Sequence, residues 1–270
     1  MKMVSAAKLR GDTERLNLGR PFGATVQALL SAKPEADEVA LPAFKKPLYV
    51  VVSSDRGLCG GVNSFVAKEA RAQMAADIEK GADPHVLVAG DKAAAQLARL
   101  YPERLIGQIL ERSKLPANIS KSLLIADRVR GARPDADCYK IVFNKFVSAI
   151  RYDTITLTVP NYFLLSSTGG EGGEGTNVLP FPLQRYEGEL ESQEEALVNL
   201  TDYVLGVQLY NSFVESATSE QSARMQAMDN ATKNAGEMVD KLTVRYNRAR
   251  QAKITTELIE IISGAESLKS

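Results

Sequence analysis

Met228-Asp229-Asn230-Ala231-Thr232-Lys233-Asn234-Ala235-Gly236-Glu237-Met238-Val239-Asp240-Lys241-Leu242 places small or apolar residues at Met228, Ala231, Ala235, Met238 and Leu242. The spacing is three, four, three, four, the seam spacing of paired helices. Tyr246 and Ala249 extend the series. The surrounding residues 194–265 hold no proline and only three glycines. Seventy residues of helix would make a rod on the order of 100 Å, at about 1.5 Å per residue. A compact domain of this length is only some 40 Å across. The rod is therefore expected to project, and its apolar stripe to need a partner. A break into two ordinary helices near Gly206 or Gly236 is the alternative, since glycine costs about 1 kcal/mol relative to alanine in a helix interior.

The seam residues are small, which favours close approach of a second helix. The chain start offers one, with Met3, Ala6 or Ala7, Leu9 and Leu16 as its own seam. The expected pairing is antiparallel, between the two ends of the chain. Pro21 should kink or interrupt this first helix, because it removes a backbone bond and crowds the preceding turn. Met1–Leu9 already reads as helix interior, with no capping residue and no acidic first turn. The natural chain is accordingly expected to begin upstream.

Between the two helical ends the hydrophobic period changes. Residues 33–47, with Pro34, Pro42 and Pro47, read as a linker. Leu48–Ser53 is a β-branched run suited to a strand covered on both faces. A glycine-rich turn, 54–61, leads to a helix over 62–79. A strand at 85–89, a helix at 91–100 and a short strand at 104–110 follow. Asn118 opens a helix to about Arg130, and Tyr139–Ile150 and Thr154–Val159 are predicted antiparallel neighbours. Alternating strands and helices define an α/β layer domain with a largely parallel sheet. Residues 166–178 read as a flexible surface loop. The expected division is 1–33, helical; 48–190, α/β; and 191–270, the long helix.

The chain of 270 residues balances 33 basic against 33 acidic residues, which excludes a bulk bias toward nucleic acid or an anionic membrane. No apolar run is long enough to span a bilayer. Two cysteines, Cys59 and Cys138, are too few for a disulfide framework and suggest a reducing compartment. The only histidine, His85, is expected to be structural.

Charge is uneven along the rod. Between Gln221 and Lys253, Arg224, Lys233, Lys241, Arg245, Arg248, Arg250 and Lys253 outnumber Asp229, Glu237 and Asp240. Ile254, Leu258, Ile259, Ile261 and Ile262 then form an apolar tip. A basic shaft with such a tip fits an acidic-rimmed, apolar-lined socket. Chemistry is harder to find. Residues 53–61 sit where phosphate loops sit, but lack both the Gly-Lys-Ser/Thr ending and the Gly-x-Gly-x-x-Gly fingerprint. No metal-ligand spacing is present, and Cys59 has no evident base. No catalytic, cofactor or metal site is expected.

Ser219–Ala235 and Tyr246–Ala265 closely resemble the gamma subunit of F-type ATP synthase. So do Ser54-Asp55-Arg56-Gly57-Leu58-Cys59-Gly60 and Met1-Lys2-Met3-Val4. The resemblance covers nearly the whole chain and points to the mitochondrial branch. It differs in lacking roughly a further 20 helical residues before Met1, and in the glycine-rich loop at 166–178. The resemblance implies a long antiparallel coiled coil of the terminal helices beside a central Rossmann-like α/β foot. It implies a rotor shaft that carries no active site and no cofactor. The implied partners are the alpha and beta subunits of the head, the c-ring, and the small delta and epsilon stalk subunits. The implied place is the matrix side of the mitochondrial inner membrane, or the cytoplasmic side of a bacterial one. Carried over by motif, Arg224 and Gln251 would meet the beta subunits, with Thr255, Glu257 and Met3 in the same zone. Tyr186 and Glu187 would lie at the foot. Two rival classes remain at this point: a nucleotide-binding α/β enzyme with a helical arm, and a scaffold that homodimerises through residues 194–265.

Overall fold

The computed structural model of the chain describes residues 1–31, 44–110, 116–162 and 190–268. They form two compact units, Met1–Met225 and Gln226–Ser270. The expected linker lies mostly outside the described residues, and the 166–178 loop wholly so.

The first unit is built on a five-stranded sheet. Its strands are β1 (Pro47–Val52), β2 (His85–Ala89), β3 (Leu105–Ile109), β4 (Cys138–Ser148) and β5 (Arg151–Pro160). Their spatial order is β3-β2-β1-β4-β5. The first four run parallel, and β5 closes the sheet antiparallel to β4. Every residue of β1 is buried. That explains its unbroken apolar run: Leu48, Val50 and Val52 face one layer, Tyr49 and Val51 the other. Helices α2 (Val62–Glu79) and α3 (Asp91–Leu100) cover the second face through Val66, Ala70, Met74, Ala93 and Leu97. Helix α4 (Ile119–Ala132) covers the first face through Ile125 and Val129. Asn118 caps α4, its side chain accepting the Lys121 amide at 2.8 Å.

The terminal helices complete that first layer. Helix α1 spans Lys2–Ser31 and α5 spans Leu190–Ser267. Val204, Leu205, Val207, Leu209 and Phe213 of α5 and Val26 of α1 share one core with β1 and β4. The two helices are antiparallel: Gly23 approaches Asn211, Gly19 approaches Tyr210, and Arg20 pairs with Glu215. Further toward the start of α1, Ala6, Leu9 and Thr13 line a groove with Met225.

Two expectations about these helices need correction or refinement, and the alternative of a break at Gly206 is excluded. Pro21 does not interrupt α1, which runs on through it. Close packing on both sides, at Gly19 and Gly23, holds the helix across the lost bond. Gly206 does not break α5. Its missing Cβ instead makes room for Leu123, whose Cδ2 would lie 2.4 Å from it. The seam residues also divide differently. Leu16 is buried and Leu9 half-buried, whereas Met3, Ala6 and Ala7 are exposed. The antiparallel register sets α1 opposite the part of α5 that ends near Met225, ahead of the expected seam.

The second unit is the remainder of α5. Every residue from Asn230 to Leu268 is exposed, the seam members Met238, Leu242 and Tyr246 included. No described helix is apolar enough to cross a membrane.

One buried residue of α5 works against stability. Gln208 is 1% exposed, and neither amide atom has a hydrogen-bond partner among the described residues. Gln208→Met keeps the shape and removes the desolvated amide. It is expected to stabilise the fold by about 1–2 kcal/mol. A urea midpoint at or below that of the wild type would contradict this.

Candidate interface: the sheet switch point and the exposed helix

Strand order reverses beside β1, with β2 and β3 on one side and β4 and β5 on the other. In open α/β sheets, ligands bind outside the carboxyl ends of the strands at such a reversal. Residues 53–61 occupy that position. The turn is tightened by Leu58 and Gly60, both at φ 61. Cys59 is buried below it, receiving the Asn63 amide at 3.3 Å and lying 3.6 Å from the Ser54 hydroxyl. Ser54 and Asn63 also bond to each other, so this polar set is internally closed.

The space a ligand would use is taken by α5. Ala223 packs with Cys59 and Val62. Ser219 Oγ donates to the Asn144 carbonyl at 3.1 Å, and Ser222 Oγ donates to the Ala149 carbonyl at 2.5 Å. Arg224 Nη2 reaches the Gly57 carbonyl at 3.4 Å. The chain's own helix thus seals the crevice, which weighs against a nucleotide-binding enzyme.

His85 and Cys59 lie at opposite ends of the sheet. His85 begins β2, level with Leu48, while Cys59 follows the far end of β1. The histidine contacts Arg133, and both guanidinium-bearing residues Arg133 and Arg104 hold Asp83, at 2.8 and 2.7 Å. Those cations keep the Asp83 carboxyl below its usual range despite desolvation, which acts the other way. This is a structural ion cluster. Cys138 is also buried, and burial pushes its thiol well up, away from the reactive thiolate. No group of three or more metal-ligating side chains exists among the described residues.

The residues carried over by motif fall into three situations. Arg224 is tied within the chain, to Glu220 at 2.6 Å and Gln221 at 3.1 Å, with its side chain 12% exposed. Gln251, Thr255 and Glu257 are exposed on the second unit. Thr255 Oγ1 donates to the Gln251 carbonyl one turn back, and Glu257 pairs loosely with Lys253 at 3.8 Å. Met3 is 85% exposed. Tyr186 and Glu187 lie outside the described residues. The described positions among these are distributed along α1 and α5.

Sequence reasoning overlooked a buried charged knot. The Glu215 carboxylate, 3% exposed, accepts from Arg20 Nε at 3.0 Å, from Arg20 Nη2 at 3.3 Å and from the Phe146 amide at 2.8 Å. Arg20 also donates to the Phe146 carbonyl at 2.5 Å. About two turns earlier in α1, burial raises the Asp12 carboxyl; Arg15 opposes this and Glu220 adds to it. An isolated Arg and Glu some 195 residues apart give no sequence signal of such a contact.

An α/β domain whose ligand crevice is filled by its own helix, and whose helix then continues fully exposed, defines a structural shaft rather than an enzyme. The family profile described as ATP synthase matches residues 1–268. The mitochondrial ATP synthase subunit gamma of Ipomoea batatas is 40% identical over 273 residues, covering all of this chain and 79% of that one. The ATP synthase gamma chain of Jannaschia sp. is 37% identical over 280 residues, covering 99% of this chain and 92% of that one. Among solved structures, the central stalk and c-ring of Tetrahymena thermophila mitochondrial ATP synthase contains a chain of like fold, with TM-score 0.68 and 26% identity. The match covers 86% of this chain and 97% of that one. A Euglena gracilis chain at 18% identity, also with TM-score 0.68, supports the fold alone. The chain belongs to the ATP synthase gamma subunit family. It is a non-catalytic subunit of the kind that forms the central stalk.

Proposed function

We propose that this chain is the central rotor shaft of an F-type ATP synthase. Rotation of a membrane c-ring, driven by protons, turns the α/β foot, and the terminal helices carry that rotation into a head of alpha and beta subunits. ATP chemistry belongs to the head. Small stalk subunits of the delta and epsilon type would clasp the foot. The matrix side of the mitochondrial inner membrane suits the mitochondrial relative from Ipomoea batatas; the cytoplasmic side of a bacterial membrane suits the one from Jannaschia sp..

The observation that carries this reading is the run Asn230–Leu268, exposed at every residue in the single chain. It includes Ile254, Leu258, Ile259, Ile261 and Ile262, each about half or more exposed. A contiguous apolar surface of that kind marks a protein interface. The division into 1–33 and 191–270 as coiled-coil parts and 48–190 as foot follows the same reading. Arg224, Gln251, Thr255, Glu257 and Met3 would meet the beta subunits, and Tyr186 and Glu187 the foot partners.

Mixing the chain with purified alpha and beta subunits tests the assignment. One copy should co-elute with three alpha–beta pairs and raise magnesium-ATP hydrolysis; no association would overturn it. Within that complex, Arg224→Ala is expected to lower coupled turnover about tenfold, the worth of one bond to a charged group, without loss of assembly. Unchanged coupling in that variant would remove Arg224 from the contact set.

A further inference from the structure

Three side chains on one face of α5 bond to backbone of the sheet. Glu215, Ser219 and Ser222 are spaced four and three, so they share a face of the helix. Glu215 takes the Phe146 amide, Ser219 gives to the Asn144 carbonyl and Ser222 gives to the Ala149 carbonyl. All three acceptors or donors lie on β4 or on the turn that follows it. Arg20 closes the knot from α1, bonding both Glu215 oxygens and the Phe146 carbonyl. A single carboxylate therefore joins α1, α5 and β4.

The knot is poorly explained by stability alone. Burying a carboxylate costs several kcal/mol of hydration, and a well-packed apolar replacement for a buried ion pair is often as stable or more so. Apolar contacts are also non-directional. They hold a helix against a sheet while resisting rotation about its axis only through shape. A bidentate guanidinium–carboxylate pair and hydrogen bonds to fixed backbone atoms have preferred angles. They define the azimuth of α5 as well as its distance from the sheet. Past Ser222, Ala223 is buried, residues 224–229 are half-buried, and from Asn230 onward α5 is exposed. The knot thus sits within the last few turns of α5 before the helix becomes fully exposed.

We propose that Glu215, with Arg20, Ser219 and Ser222, is a torsional clamp that fixes α5 to the sheet, so that torque applied to the foot reaches the shaft. The inference rests on the rotor reading above. These are positioning residues; none meets nucleotide. The clamp adds directional resistance to slip between the sheet and the helix, beside the apolar packing they share.

The test uses the complete complex, with wild-type chain, Glu215→Gln or Ser222→Ala. Glu215→Gln keeps an acceptor for the Phe146 amide and loses the charge pair; Ser222→Ala removes one bond and keeps the helix. The head is fixed to a surface and stalled, and a bead on the foot reports angular fluctuation. Each variant is expected to widen the variance of that fluctuation about twofold, as expected when one of a few cooperating bonds is lost. ATP-driven proton pumping against a gradient should fall, while ATPase without a gradient stays near wild type. If both variants fluctuate and pump as the wild type does, the clamp is wrong, even if their melting temperatures drop. If Glu215→Gln does not assemble, Ser222→Ala alone decides in the same way. Failure of the wild-type complex to rotate would overturn the rotor reading instead.

Discussion

Gly90→Ala is expected to destabilise the first unit by about 3–5 kcal/mol, the combined cost of a forbidden backbone conformation and a forced backbone shift. Gly90 joins β2 to α3 at φ 120 and ψ 162. That region is open to glycine and essentially closed to other residues. Space is lacking as well: an added Cβ would lie 2.4 Å from the Ser53 carbonyl oxygen. The obstacle is backbone and cannot swing aside. It is also tied down, because the Ser53 amide donates to Ala89 at 2.8 Å and the Gly90 amide donates to Ile109 at 2.9 Å. The ends of β1, β2 and β3 thus meet at one glycine. Relief would require breaking one of those bonds or moving the turn at the switch point. The chain has no tryptophan, but Tyr49, Tyr139 and Tyr162 are buried in this unit. Their near-ultraviolet circular dichroism isolates its unfolding from the helical signal. Gly107→Ala is the control, since a Cβ there meets nothing within 4 Å. A Gly90→Ala midpoint matching that of Gly107→Ala would show that the turn yields more easily than its geometry implies.

Gly90 also marks where sequence reading succeeds and stops. The strand and helix on either side of it are written in local pattern. Four consecutive apolar residues of β2 and the alternating faces of α3 need no long-range information. The predicted 62–79, 85–89 and 91–100 segments match α2, β2 and α3, and the antiparallel β4–β5 pair is as expected. The shaft was legible for the same reason: an absence of breakers over seventy residues is a local property. What local pattern cannot carry is partnership. Nothing in the local pattern singles out Arg20 or Glu215, and only the fold makes them a buried pair. Gly206 looked like a weak point and is a contact with Leu123. Pro21 looked like a break and is bridged by packing on α5. The closed crevice was illegible too, since the glycine-rich turn is compatible with either a ligand or a helix above it. The motif around Ser219–Arg224 carries the family resemblance, yet its hydroxyls acquire partners only when β4 is placed beneath them.

Phe213→Ala and Leu242→Ala alter one helix in two environments, and opposite results are expected from them. Phe213 is 1% exposed in the core shared by α1, α4, α5 and the sheet. Truncation there removes a buried ring and leaves a cavity. The chain alone should lose about 3–5 kcal/mol, read from the tyrosine signal under urea. Leu242 is 55% exposed. Truncating it should change the stability of the isolated chain by less than about 0.5 kcal/mol. In the assembled complex the order changes. If the head sheathes the exposed helix, Leu242→Ala withdraws apolar area from that interface and should weaken it by about 1–2 kcal/mol. The measurement is the salt or denaturant concentration at which the chain leaves the alpha and beta subunits. A stable isolated Leu242→Ala chain that dissociates early would mean that the second half of α5 is ordered for its partner rather than for its own core. Dissociation identical to wild type would mean that Leu242 faces solvent in the complex too, and the interface would have to be carried by other faces of the helix.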